Sequence, residues 1–285
     1  MSPTLPPRLV WEPIVQRALA EDLGEAGDIT TDLVVPGTAT ARADLVLRQG
    51  GVISGLEVFA AVLSALDPAV EVKFLAADGD RVPPGTVVAE AAGRARALLT
   101  AERVALNLFG RMCGIATQTA EAVAEVTGTG VRIVDTRKTT PGLRSLEKYA
   151  VRCGGGHNHR FGLDDAVMIK DNHIAVAGGI SAAVKRVRDG VGHVVAVEVE
   201  VETDEQLAEA LAAGVEVVLL DNMTPDQVAA AVEVTAGRAV LEASGGITAA
   251  NVADYAKTGV DVISLGWLTH SAPALNVALE IISAG

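Results

Sequence analysis

Aromatic side chains are scarce in this chain, at 3% of its 285 residues, although 49% of positions are hydrophobic. Ala, Val and Leu must therefore fill the interior, as α/β cores allow. Cysteine is nearly absent: Cys113 and Cys153 alone provide no disulfide framework. Positive charge is in deficit as well, with 23 Lys and Arg against 36 Asp and Glu, for a net charge of −13. Nonspecific nucleic-acid binding needs a broad basic surface, so that class is excluded. No apolar run reaches the ~20 residues of a membrane helix. The opening MSPTLPPRLVWEP lacks a charged region followed by an apolar one, so no signal peptide is read. These absences lead to the expectation of a soluble cytoplasmic protein with neither a membrane nor a nucleic-acid partner. At this length a large core and two domains are expected.

Against that acidic background, residues 133–173 gather Arg137, Lys138, Arg144, Lys148, Arg152, Arg160 and Lys170, with three of the five histidines. Two polar knots directly follow apolar, β-prone runs. Asp135-Thr136-Arg137-Lys138 follows residues 131–134, and Lys170-Asp171-Asn172-His173 follows residues 166–169. Between them, Gly154-Gly155-Gly156-His157-Asn158-His159-Arg160 is a glycine-rich loop whose backbone can approach a ligand closely. Two like charges ~4 Å apart repel by roughly 4 kcal/mol at an intermediate dielectric. Each charge-assisted bond to an anion returns about 1.5–3 kcal/mol. The cluster therefore points to a multiply charged anionic ligand. Arg144, Lys148 and Arg152 are spaced four apart and read instead as one solvated helix face.

Taken in order, residues 8–23 have helical periodicity, 41–48 read as a strand, 56–66 as a helix and 71–75 as a strand. The stretch Asp78-Gly79-Asp80 through Ala89 resembles the half-barrel of biotinyl and lipoyl carriers. Such carriers need a lysine at a hairpin tip, and the only lysine before residue 138 is Lys73. The stretch is read as structural. Thr100 is placed as the cap of a long helix over 101–127. Arg103 would then sit in its first turn, where a cation opposes the helix dipole by about 0.3–1 kcal/mol.

From residue 131 onward, apolar strands end in polar residues and lead into capped helices. Strands are expected at 194–199 before Glu200, 216–220 before Asp221, 239–243 before Ser244-Gly245-Gly246, and 260–265 before Gly266. Thr203 with Gln206, and Thr224 with Gln227 and Pro225, start helices. Gly214, Gly237 and Gly259 end them. Such alternation implies parallel strands joined by crossover helices. Polar residues at every carboxyl end favour a barrel over a doubly wound sheet, and the span suits six or seven strands rather than eight. The expected fold is α/β: an N-terminal α+β domain (half-barrel or open sandwich) over residues 1–112, then a truncated α/β barrel over 113–270. A C-terminal helix at 271–285 is expected to pack back on the first domain.

Glu200 and Asp221 end successive strands and should face the same mouth as the cations. There they can hold a hard cation such as Mg²⁺, accept bonds from sugar hydroxyls, or simply pair with Lys138 and Lys170. Ser244-Gly245-Gly246 and Gly266-Trp267 can form backbone nests for phosphate. A Schiff-base role for Lys170 fits poorly, because Asp171 and other cations stand beside it. His157 and His159 have alternating spacing, but no Cys or carboxylate completes an obvious zinc set.

Asp135-Thr136-Arg137-Lys138-Thr139-Thr140-Pro141-Gly142, Glu147-Lys148-Tyr149, the glycine loop with Asn158-His159-Arg160, and Ile169-Lys170-Asp171-Asn172-His173 closely resemble quinolinate phosphoribosyltransferase. The likeness continues through residues 27–31, 100–107, 114–117, Glu198-Val199-Glu200, Leu220-Asp221-Asn222, residues 243–246 and Leu268-Thr269-His270. Cys113 departs from a frequent serine, and Trp267 from a frequent small residue. The resemblance implies transfer of phosphoribosyl from 5-phosphoribosyl-1-pyrophosphate to quinolinate, with decarboxylation to nicotinate mononucleotide in de novo NAD synthesis. It implies that Arg103, Arg137, His159, Arg160 and Lys170 hold the dicarboxylate, with Lys138 near the leaving pyrophosphate. Glu200 and Asp221 would contact the ribose and Mg²⁺. Lys138, Glu200 and Asp221 are thus the implied catalytic set. Thr136, Ala243, Ser244, Gly245, Gly266, Trp267 and Leu268 would complete the substrate sites. A homodimer with Arg103 supplied in trans is implied too. The alternatives are nicotinate phosphoribosyltransferase and a non-catalytic anion-binding protein.

Overall fold

The fold is described from a computed structural model, which covers residues 3–285. Two compact units are interleaved in sequence. One comprises Met1–Ala120, Thr139–Gly155 and Leu268–Gly285; the other comprises Glu121–Lys138 and Gly156–Trp267.

The first unit contains α1 (Arg8–Leu23), α2 (Ile29–Val34), β1 (Thr40–Leu47), β2 (Gly51–Val52), α3 (Leu56–Leu66), β3 (Glu71–Phe74), β4 (Arg81–Val82) and β5 (Thr86–Arg94). α4 (Ala95–Glu125) begins the next residue after β5, with no loop between them. Thr100 is therefore not a cap. It lies inside α4, and its hydroxyl donates to Asp28 Oδ2 at 2.9 Å. Asp28 is itself the cap of α2, accepting from the Thr31 backbone N–H at 2.9 Å. Arg103 consequently lies beyond the first turn of α4, and the helix-dipole penalty expected for it does not arise. The expected domain boundary at 112/113 lies within this helix, which runs unbroken across it.

The C-terminal segment corrects another expectation. It forms a strand, β12 (Val277–Ala284), that pairs antiparallel with β1 and completes a sheet of order β12-β1-β5-β3. The β-branched residues Val277, Ile281 and Ile282 suit that pleated edge better than a helix. Two glycines of α4 let the chain approach on the way. A Cβ at Gly114 would lie 1.9 Å from the Pro273 carbonyl oxygen, and one at Gly110 2.9 Å from that of Leu275.

α5 (Arg144–Cys153) is no solvated face either. Lys148 is only 3% exposed and Glu147 only 1%. Glu147 accepts from Arg111 Nη2 at 2.9 Å and from the Thr140 backbone N–H at 3.0 Å. A buried pair satisfied this fully is tolerable, whereas losing one partner would strand a charge. Tyr149 donates to Asp78 Oδ2 at 2.7 Å, and the same carboxylate accepts the Gly55 N–H that opens α3. The carrier-like turn is thereby tied to the packing of this unit. Cys113 is buried in the same unit, its sulfur accepting from the Ser54 backbone N–H at 3.3 Å.

The second unit holds six parallel strands: β6 (Arg132–Val134), β7 (Val167–Ile169), β8 (Val197–Val201), β9 (Val217–Asp221), β10 (Val240–Ser244) and β11 (Val262–Ser264). Their order is β6-β11-β10-β9-β8-β7. The last strand in sequence thus returns to pair with the first, as a barrel requires. At the seam between β6 and β7, Val134 makes a single parallel bridge to His157. The crossovers are α6 (Asp171–Ala177), α7 (Ile180–Gly190), α8 (Asp204–Ala212), α9 (Pro225–Thr235) and α10 (Val252–Ala256), and α11 (Trp267–His270) follows the last strand. Thr203 and Thr224 cap α8 and α9 as expected, accepting from the Gln206 and Gln227 backbone N–H groups.

Candidate active site

Side chains alternate between the two faces of a strand. In this barrel the alternation sends Met168 and Lys170, Glu200, Leu219 and Asp221, Glu242 and Ser244, and Ser264 toward one cup of about 640 Å³. Thr136, Arg137 and Lys138 after β6, His159 and Arg160 of the glycine loop, and Asn222, Gly245 and Gly246 close its wall. The four strand-end and loop cations named from the sequence thus meet in one place, opposite two carboxylates. All of these residues belong to the second unit.

Asp135 organises the cationic side without facing the cup. It is fully buried, and its carboxylate accepts from Asn158 Nδ2 at 2.6 Å and from the His159 backbone N–H at 2.9 Å. This carboxylate fixes the glycine loop beside β6, so Arg160 arrives next to Arg137. Burial lowers the pKa of the Arg160 guanidinium, and the neighbouring Arg137 lowers it further. Two cations held this close form a site poised for an anion. Lys138 is exposed, and its backbone N–H donates to Thr136 Oγ1 at 3.0 Å, which sets the turn after β6.

On the acidic side, Lys170 Nζ donates to Glu200 Oε2. Direct lysine–carboxylate pairing, one of the readings open from the sequence, is therefore realised for these two. Burial raises the pKa of Asp221, and the neighbouring Glu200 raises it further, against the attraction of Lys170 and Lys138. Asn222 donates to Asp221 Oδ2 at 2.7 Å from a left-handed backbone with φ 55°. Gly245 must be glycine here: its φ is +86°, and a Cβ would lie 2.3 Å from Asn222 Oδ1. Glu200 and Asp221 share the acidic side of the cup and offer only oxygen, a donor type that fits a hard divalent cation.

Below this rim lies a feature the sequence did not reveal. His159 Nε2 stands 3.2 Å from Glu198 Oε2 and 3.4 Å from Glu242 Oε2. The three donor atoms lie within 4.8 Å of one another, so the fold supplies the two carboxylates that sequence spacing failed to find beside His159. The tautomer decides what they do. His159 Nδ1 accepts from the Arg160 backbone N–H at 2.7 Å, so Nε2 carries the hydrogen and points it at the carboxylates. A metal would need that lone pair free. The arrangement is a proton-sharing group, not a zinc set.

Several residues implied by the resemblance do not line the cup: Arg103, Ala243, Gly266, Trp267 and Leu268. For Ala243 the reason is the strand period, because Glu242 and Ser244 take the inward positions. Trp267 is anchored elsewhere, its indole N–H donating to the Ile247 carbonyl at 2.9 Å. Leu268 is fully buried in the first unit. Arg103 is exposed on α4, in a hollow with Asn107, Arg111 and Asn276. Gly246, read from the sequence as part of a phosphate nest, is in the wall, whereas sequence reasoning missed Met168, Leu219, Asn222, Glu242 and Ser264. Stepping back two positions from Ser244 would have found Glu242, and from Lys170 would have found Met168.

Comparison with known proteins gives the family. Residues 28–113 match the family model for the N-terminal domain of quinolinate phosphoribosyl transferase, and residues 115–280 that for its C-terminal domain. A probable nicotinate-nucleotide pyrophosphorylase [carboxylating] from Bacillus subtilis is 48% identical, covering 92% of this chain and 90% of the relative. One of the same name from Synechocystis is 46% identical over 98% and 95%. The crystal structure of NadC from Streptococcus pyogenes superposes with a TM-score of 0.94 at 39% identity, covering 99% of each chain. The chain therefore belongs to the quinolinate phosphoribosyl transferase family.

Proposed function

We propose that this protein transfers phosphoribosyl from 5-phosphoribosyl-1-pyrophosphate to the ring nitrogen of quinolinate, then releases the 2-carboxylate as CO₂ to give nicotinate mononucleotide. The observation that carries this reading is the single cup holding Arg137, Lys138, Arg160 and Lys170 opposite Glu200 and Asp221. Two carboxylates, a phosphate and a pyrophosphate need many donors in one place, and the cup gathers them. Arg137, Arg160 and Lys170 hold the dicarboxylate, and Lys138 stands by the leaving pyrophosphate. Glu200 and Asp221 accept from the ribose hydroxyls and counter positive charge developing at the anomeric carbon. Thr136, Ser244 and Gly245 offer backbone and hydroxyl donors to the phosphates.

Glu200 and Asp221 would also hold Mg²⁺, which when bound neutralises pyrophosphate charge. Arg103 reaches the substrate from a second copy of the chain, so the working enzyme is a homodimer. This reading is supported by the exposure of Arg103 on α4, in a hollow with Asn107 and Arg111. No described helix is long and apolar enough to cross a membrane, and the proposed site of action is the cytoplasm.

The deciding assay is incubation with quinolinate, 5-phosphoribosyl-1-pyrophosphate and Mg²⁺, with CO₂ and nicotinate mononucleotide as readouts. Replacing quinolinate by nicotinate should give no comparable product. Equal turnover of nicotinate would transfer the assignment to the single-carboxylate reaction, and tight binding without turnover would leave an anion-binding protein.

A further inference from the structure

Three acidic residues line the cup, and their partners differ. Glu200 is engaged by Lys170, and Asp221 accepts from Asn222 Nδ2. Glu242 is 4% exposed, its Oε2 faces the His159 N–H, and its Oε1 has no hydrogen-bond partner among the described residues. Glu198 repeats that pattern: it is buried, with Oε2 toward the same N–H and Oε1 unpartnered. One imidazole N–H thus serves two buried carboxylates, and burial beside a second carboxylate favours the protonated form of Glu242. Burial first, and then Glu198, push the Glu242 pKa up to about 7. The other groups acting on it are His159 and the Ser264 hydroxyl, which oppose the rise, and Asp135, which adds to it. An acid is thus stored in the wall of a site otherwise built from cations and paired carboxylates.

The proposed reaction has a use for it. When the 2-carboxylate leaves as CO₂, the ring C2–carboxyl bond breaks and its electron pair stays on C2, beside the pyridinium nitrogen. The product carries hydrogen at that carbon, so one proton must be delivered per turnover. We propose that Glu242 is the acid that protonates C2, while His159 and Glu198 hold its carboxyl in place. In the step a C2–H bond forms and the Glu242 O–H bond breaks, and the resulting carboxylate recovers a proton from solvent. The proposal rests on the decarboxylating activity proposed above.

The test separates the two half-reactions. In Glu242→Gln, pyrophosphate release should continue while CO₂ release slows by about 100-fold, the scale of a lost general acid. Quinolinate mononucleotide should then accumulate, and labelled CO₂ should exchange back into it, because the unprotonated carbanion recaptures it. Glu242→Asp, which keeps an acid, should recover part of the CO₂ rate. A merely structural role would lower both rates in parallel, and a one-to-one ratio of pyrophosphate to CO₂ in the Gln variant would overturn the proposal. Wild-type enzyme provides an arm that needs no variant to fold: CO₂ release should lag pyrophosphate release increasingly as pH rises through 7. A ratio that is flat with pH would also overturn it. Wild type that releases no pyrophosphate from these substrates would remove the activity itself, and the assignment of Glu242 with it.

Discussion

At the scale of single residues, the cup is defined by what each charge has beside it. Glu242 makes this measurable through stability. Its ordinary pKa of 4.5 is raised to about 7 in the folded chain. Between those values the unfolded chain has released the proton and the folded chain still binds it. Wild-type stability should therefore fall as pH rises across that window and level off above it. The full effect is on the order of 3 kcal/mol. Glu242→Gln removes this slope, so urea denaturation should show the variant gaining on wild type between pH 4.5 and pH 7.5. A difference independent of pH would contradict the assignment of the raised group. Lys138 is the opposite case, exposed at the rim. Lys138→Ala should leave the unfolding transition unchanged while lowering kcat by about 100-fold or more. A near-normal kcat would remove its role at the leaving pyrophosphate.

Among elements, α4 shows how a local choice commits distant chain. Gly114 is followed by no turn; it is glycine because the Pro273 carbonyl occupies the space a Cβ would need. A backbone oxygen cannot rotate away as a side chain can. Gly114→Ala should destabilise the fold by about 1–3 kcal/mol, the usual range for overpacking, and lower Tm. Gly190, at the end of α7, is the control, since a Cβ there meets nothing within 4 Å. Gly190→Ala should be neutral or slightly stabilising. Thermal unfolding of both variants checks the contrast, and equal Tm values would show that α4 and the C-terminal segment are not held together this way. The helices and strands of the barrel were legible because capping residues and apolar runs act over a few positions. Thr203 and Thr224 cap as their spacing requires. Thr100 was misleading because β5 runs directly into α4, and a cap needs a non-helical residue before the helix.

For the whole molecule, the proposed sharing of Arg103 between copies predicts complementation. A random mixture of Arg103→Ala and Lys138→Ala chains makes half its dimers mixed, and each mixed dimer retains one intact site of two. Activity should return to about a quarter of wild type, although each variant alone is nearly inactive. No recovery in mixed dimers verified by mass would argue that each site is built from one chain. The sequence by itself determined the α/β class, the strand–helix repeat and the family, because periodicity, caps and motif strings are properties of neighbouring residues. It also marked Arg137, Lys138, Arg160, Lys170, Glu200 and Asp221, since polar residues at strand ends must emerge at one face of a parallel barrel. Only the tertiary structure decided that Lys170 pairs with Glu200, that Lys148 and Glu147 are interior, and that the chain ends in a strand. It alone brought Glu198 and Glu242, 44 positions apart in the numbering, to one imidazole N–H. The reason is that desolvation and charge coupling depend on distance through space, and the strand order that sets those distances is fixed only when the sheet closes.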